Sequence, residues 1–340
     1  MEKIKAAIIG AGGFGGHRRG TMRDSGMYDL LGSYDINPEA MAAAEREDGA
    51  KPCGSYEELL GLPGLEAVVV STGGKFHAEQ AVAAMRAGKH VFVEKPLCST
   101  QAEVEELYRV KRETGLHFGV GHNDHSHDPM CKFIREYLEN GKIGKLAAIE
   151  SNSSHSGGLA GDPDGWRFDP EKNPGGMLFQ CGVHALHKMM YLFGPVTEVS
   201  AFFSYDVHVT RTADVAQTLL RFDSGLAGNL NCYHVTAYYH QLRLFGTHGN
   251  LYIDTQEHRA WYQERKSGAR EIPEEVELPG GDKEAQREYR CGNVISFAQA
   301  LRGEIDEPWP GLDEGARSVT VVFACEQSYK EGRTVKVELP

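Results

Sequence analysis

Short apolar runs alternate with helical periods through the first third of the chain. Lys5–Ile9 (KAAII) is a run of small and branched apolar residues that ends on Gly10, the pattern of a buried strand entering a glycine turn. Further strands are predicted at Asp29–Tyr34, Ala67–Val70, His90–Val93 and Phe118–Val120. Helices are predicted between them at Phe14–Arg23, Pro38–Glu47, Phe76–Ala87 and from Thr100 to Thr114. Pro38 suits a first helical turn, where its missing N–H costs nothing, and Thr100 with Glu103 has the spacing of a capping box. Strands apolar on both faces, each followed by a helix, imply a parallel, doubly wound α/β sheet covered on both sides.

The pattern changes near Gly121. Asp128–Asn140 reads as a helix and Leu146–Ser151 as a strand. A polar, Gly/Pro-rich stretch, Ser153–Gly176, has the length of a binding loop. Met177–Phe193 is helical. Strands follow at Val199–Tyr205, Ala216–Phe222, Ala227–Tyr233, Gln241–Phe245 and Asn250–Ile253, in meander order. Two helices, around Val294–Leu301 and Leu312–Tyr329, precede a last strand at Thr334–Leu339. Strands in succession after an alternating unit predict a second, α+β domain on a mostly antiparallel sheet. The expected domains are residues 1–122 and 123–340, with the C-terminal helix packing back on the first.

Composition narrows the class. The chain has 340 residues and a net charge of -12, so an anionic polymer or membrane surface finds no basic patch to bind. Its 7 cysteines form no Cys-x-x-Cys pair, which fits free thiols in a reducing, cytoplasmic setting. No signal peptide and no membrane span are expected.

The loop Gly10-Ala11-Gly12-Gly13-Phe14-Gly15 carries G-x-G-x-x-G between a strand and a helix. In that context Gly10 permits the turn, Gly12 lets backbone approach a pyrophosphate, and Gly15 lets the helix pack on the sheet. Asp35 ends the second strand, where a carboxylate accepts from the ribose hydroxyls and repels a 2′-phosphate. Alone, Asp35 also fits a turn cap before Pro38. With the glycines it points to NAD rather than NADP.

Glu94-Lys95-Pro96 closes the fourth strong strand, at the end of the sheet where α/β proteins bind ligands. By itself Lys95 also fits a solvated surface lysine. The tripeptide, however, resembles the Glu-Lys-Pro signature of the Gfo/Idh/MocA oxidoreductases. Ser71-Thr72-Gly73-Gly74-Lys75-Phe76-His77, Gly121-His122-Asn123, Trp166-Arg167, the run from Gly175 to His184, and Gly246-Thr247-His248-Gly249 resemble further family segments in order and spacing. The resemblance implies a Rossmann domain followed by a domain whose large open sheet mediates homodimers or homotetramers. It also implies a sugar or cyclitol substrate. Cofactor contacts are expected from Gly10, Gly12, Gly13, Phe14, Gly15, Asp35, Ser71, Thr72, Gly73, His77, Glu94, Lys95 and Asn123. Substrate contacts are expected from Asn123, His155, Trp166, Arg167, Gln180 and His187. Two family acids are replaced here, by Gln180 and His187, and residues 73–74 lack the usual Pro-Asn.

Oxidising a secondary alcohol needs a hydride acceptor, a base for the hydroxyl proton and a group that stabilises developing negative charge. His184 is the expected base, since imidazole titrates near neutrality, and Lys95 the expected cationic group, or the base itself if burial lowers its pKa. Gln180 takes no proton but orients substrate. His187, one turn after His184, either reaches the site or packs below it. The clustered histidines fit sugar contacts better than a metal, for no tight ligand spacing is present. Two other functions share these features: an NAD-retaining glycosidase that oxidises transiently, and a non-catalytic NAD-binding sensor.

Overall fold

The computed structural model describes residues 2–162, 164–207, 211–266, 271–280 and 283–339, so Pro163 of the expected loop lies outside them. In chain order the elements are β1 (Ile4–Ile9), α1 (Phe14–Ser25), β2 (Tyr28–Tyr34), α2 (Pro38–Asp48), β3 (Lys51–Pro52), α3 (Tyr56–Leu60), β4 (Ala67–Val70), α4 (Gly74–Arg86), β5 (His90–Val93), α5 (Gln101–Thr114) and β6 (Phe118–Val120). They continue with α6 (Pro129–Glu139), β7 (Leu146–Ser154), α7 (Val183–Phe193), β8 (Val196–Ser204), β9 (Val215–Phe222), β10 (Ala227–Tyr233), β11 (Tyr239–Gly246), β12 (Gly249–Asp254), β13 (Arg259–Glu264), β14 (Glu274–Val276), α8 (Lys283–Leu301), α9 (Leu312–Glu331) and β15 (Val335–Lys336). They form two compact units, Met1–Asp124 with Gln286–Ala316, and His125–Ala285 with Arg317–Leu339.

In the first unit, among the described residues, six strands run parallel in the order β3-β2-β1-β4-β5-β6. All four residues of β4 are buried, as a strand covered on both faces requires. The order reverses between β1 and β4, and ligands of such sheets sit beyond the carboxyl ends at that switch point. The expected capping box is present, with Thr100 and Glu103 satisfying each other's backbone N–H groups. Residues 286–316 complete this core: Phe297 packs on Phe92 at 5.7 Å, and the Tyr28 hydroxyl donates to the Val294 carbonyl. The sequence pattern misses the short β3 and α3, and it sees only the apolar end of α8.

The second unit has, among the described residues, nine strands in the order β14-β13-β12-β11-β7-β10-β9-β8-β15. Only β7 and β10 pair in parallel; the rest are antiparallel. β9 shows the alternation of a half-buried sheet, with Ala216, Thr218, Leu220 and Phe222 inside and Gln217, Leu219 and Arg221 outside. The expected helix from Met177 divides in two. Leu178–Gly182 forms a wide π turn before α7 begins at Val183. Gly182 allows this close packing, since a β-carbon there would lie 3.0 Å from Cys232 Sγ on β10.

Candidate active site

The glycine loop leaves β1 at the switch point. Gly10 has φ +85°, and a β-carbon on it would lie 2.6 Å from the Ser71 carbonyl after β4. A β-carbon on Gly15 would collide with the Gly10 carbonyl. Both positions therefore admit only glycine. Space beside Gly13 is open, and α1 starts with no side-chain cap and no acidic residue in its first turn. The N–H groups and dipole of that helix end are thus available to a phosphate. Asp35 Oδ2 accepts from the Gly12 N–H at 3.0 Å and Oδ1 from the Asn37 N–H at 2.8 Å. This fixes the carboxylate beside the loop, as a ribose contact requires. These residues fit a dinucleotide.

Lys95 follows β5, with its ammonium 5.9 Å from the centre of the Phe14 ring, and the Lys95–Pro96 peptide is cis. Two expected cofactor contacts are buried among protein partners. Glu94 is 3% exposed, and its Oε1 accepts from Arg18 Nε at 2.6 Å. Arg18 also donates to Asn293 Oδ1 at 2.9 Å. His77 is 1% exposed, with Nδ1 2.7 Å from the Pro96 carbonyl and Nε2 2.9 Å from the Thr72 carbonyl. Glu94 and His77 therefore brace the chain on either side of Lys95 and the turn after β4. Burial pushes the His77 pKa down, against the opposing pull of the two carbonyls. Ser71, Thr72 and Gly73 form the exposed or half-buried turn after β4. Asn123 is exposed, its amide donating to the Tyr289 hydroxyl at 3.0 Å.

In the second unit His184 occupies the first turn of α7 and is half-buried, as is Gln180 in the π turn before it. Trp166 and Arg167 form a short 3-10 turn in the long loop, with the guanidinium 4.7 Å from the indole centre. His155 follows β7 directly and sits with its Nε2 3.7 Å from Cys181 Sγ. Burial first, then His240 and Arg167, lower its pKa. His187, expected either to reach substrate or to pack below the site, is 2% exposed and its ring packs 4.8 Å from His125. The same face of α7 that presents His184 at its start turns inward one turn later.

Behind His187, His125, Asp128 and Cys131 offer ligand atoms within 4.8 Å of one another. The Lys188 ammonium lies 3.0 Å from Asp128 Oδ2. Burial raises the Asp128 pKa, but the His125 and Lys188 contacts outweigh it and hold the carboxyl well below its usual range. The lysine thus already supplies the positive charge that a metal would bring.

Residues 4–122 match the family model for the oxidoreductase family NAD-binding Rossmann fold, and residues 132–252 match that for the GFO/IDH/MocA C-terminal domain. The 1,5-anhydro-D-fructose reductase of Ensifer adhaerens is 30% identical over 66% of this chain and 67% of its own length. The chain belongs to the Gfo/Idh/MocA oxidoreductase family. Among its relatives, scyllo-inositol 2-dehydrogenase (NAD(+)) of Bacillus subtilis is 29% identical over 83% of this chain and 80% of that one. Levoglucosan dehydrogenase in complex with NADH shares the fold, with a TM-score of 0.85, 20% identity and full coverage of both chains.

The first unit is this family's NAD-binding domain, and NAD is the cofactor it serves. Bound at the glycine loop, NAD supplies a hydride acceptor. Among the described residues no helix is long and apolar enough to cross a membrane. Sequence reasoning passed over His234 and Tyr238, which pack around His155. Their only signal was the unusual aromatic run Tyr233–His240 between two strands.

Proposed function

We propose that this protein transfers hydride between NAD and a ring hydroxyl of a sugar, sugar derivative or cyclitol. The observation that carries the reading is the placement of Lys95. It is a partly exposed cation at the end of β5, braced by the buried Arg18–Glu94 pair before it and by His77 on the Pro96 carbonyl after it. A lysine held on both sides is positioned for chemistry on a cofactor-proximal oxygen rather than for solvation. The reductase of anhydrofructose and the inositol dehydrogenase among its relatives act on polyhydroxylated rings, which supports the substrate class.

In this reading Lys95 donates a hydrogen bond to the reacting hydroxyl and stabilises the oxygen as its proton leaves. His184 accepts that proton. Gln180, one turn earlier, orients a neighbouring hydroxyl through its amide, and Trp166 and Arg167 line the substrate from the long loop. Asp35 selects NAD over NADP by repelling a 2′-phosphate.

The test is NADH formation, followed by absorbance, with a panel of free sugars, glycosides, sugar acids and inositols. Wild type, Lys95→Ala and His184→Ala are compared. Activity with wild type that both variants lose supports the roles given. Cleavage of a glycoside without NADH accumulation sinks this reading in favour of a transient-oxidation glycosidase.

A further inference from the structure

Tyr238 stands just before β11 with 67% of its surface exposed. Its ring is stacked on His155, with centroids 5.5 Å apart and planes 28° apart, and on His240 at 6.0 Å and 27°. His155 meets His234 edge-on at 5.1 Å, and His234 is stacked on Phe168 at 5.8 Å. Rings from the ends of β7 and β10, the start of β11 and the turn after Trp166 thus form one continuous wall in the second unit.

Backbone contacts fix the inner end of the wall. His155 Nδ1 accepts the Gly157 N–H at 2.8 Å, so the ring proton sits on Nε2, facing Cys181 Sγ. An imidazolium has no lone pair for Gly157, and burial, His240 and Arg167 all disfavour it. The loop closes tightly over these rings. A β-carbon on Gly157 would lie 2.5 Å from His155, and one on Gly158 would lie 2.5 Å from the His234 carbonyl. Cys181 lies in the π turn that leads into α7, just ahead of His184. The wall therefore begins against the turn that leads into the helix of the expected base and extends through His155 to Tyr238.

A backed aromatic face keeps little conformational entropy to lose, and its negative π surface suits the weakly positive C–H face of a sugar ring. The rings themselves present C–H and π faces rather than fixed charge, the surface on which a sugar ring packs. The His155 ring stands between Tyr238 and Cys181, so Tyr238 does not itself touch the turn that leads to His184 through this contact. We propose that Tyr238 forms a second carbohydrate subsite. The substrate is then a glycosidically linked pair of sugar rings, one presented to His184 and its neighbour lying on Tyr238. This rests on the redox reading above.

The test compares D-glucose with cellobiose and maltose, and D-galactose with lactose, in wild type, Tyr238→Ala and Tyr238→Phe. NADH formation gives kcat/KM, and saturation-transfer NMR reads disaccharide binding without turnover. At least one disaccharide is expected to exceed its monosaccharide. Tyr238→Ala is expected to lower that advantage by about tenfold while leaving the monosaccharide unchanged, and Tyr238→Phe to preserve it. Equal losses on both sugars, or disaccharide binding indifferent to Tyr238, overturn the subsite. If binding depends on Tyr238 but no sugar yields NADH, the subsite stands and the redox reading falls. If monosaccharides are oxidised as well as any disaccharide, the subsite falls and the redox reading stands.

Discussion

Arg18 and Glu94 meet as a buried ion pair, Nε to Oε1 at 2.6 Å, with side chains 3% and 4% exposed. One lies on the helix that follows the glycine loop, the other immediately before Lys95. Removing one partner leaves an uncompensated buried charge, which costs roughly 3–5 kcal/mol. Glu94→Ala is therefore expected to lower the urea midpoint sharply, and Arg18→Met with Glu94→Met to recover most of the loss. A single variant as stable as wild type would contradict the pair's role.

His77 ties two backbone segments together, through the Thr72 and Pro96 carbonyls. His77→Phe keeps the volume and loses both contacts, each worth about 1 kcal/mol. The expected outcome is a modest fall in stability with a higher KM for NAD and a lower kcat. Unchanged steady-state constants would show that the two segments hold their positions without it.

Gly10→Ala places a methyl group against the Ser71 carbonyl at a φ of +85°. NADH affinity, titrated by fluorescence, is expected to fall by at least about tenfold, because backbone distortion there spreads into the phosphate loop. Circular dichroism checks that the variant is folded.

Asp35→Ser removes the carboxylate that rests on the Gly12 N–H. The ratio of NADH to NADPH affinity is expected to drop by about tenfold or more, the effect of one lost charge repulsion and one ribose hydrogen bond. Wild type binding NADPH more tightly than NADH would overturn the role of Asp35 outright.

Acid should loosen the second unit in two stages. His187 is held well below its ordinary 6.5 by burial, then by His125 and Lys188, so unfolding lets it take up a proton and stability falls as pH drops below that value. Asp128 is held below 3.8, so its contribution is full above that pH and is lost as pH falls further. Tyr191, whose ring lies 5.8 Å from His125, and the Cys131 thiol, which burial pushes up, complete the neighbourhood. Thermal melts from pH 8 to pH 2 should show the first stage and the onset and progress of the second. His187→Gln should remove the first and Asp128→Asn the second.

The cofactor half was legible because its signals are local. Gly10 and Gly15 are fixed by what one turn can accommodate, and the structure leaves no room for a β-carbon at either. Polar elements were harder to read. β13 (RAWYQE) and β14 (EEV) bury little, so they carry no apolar alternation, and the first turns of α8 are charged. The π turn at Gln180 depends on how Gly182 meets Cys232 across the fold, which no neighbouring residue encodes. His77 was given a cofactor contact but is buried, and His187 was left open between reaching the site and packing below it. Periodicity marks a helical face and does not say which turn of it is covered.

The first unit is not contiguous in the chain. Asn293, which accepts from Arg18, and Val294, which accepts from Tyr28, arrive with residues 286–316, long after the sheet strands they support. During synthesis Arg18 therefore meets Glu94 early but Asn293 only late, and the Tyr28 hydroxyl lacks its acceptor until most of the protein has been made. The same order makes residues 1–124 a poor fragment to express alone. A ligand that binds only the finished sheet would report completed synthesis of nearly the entire chain.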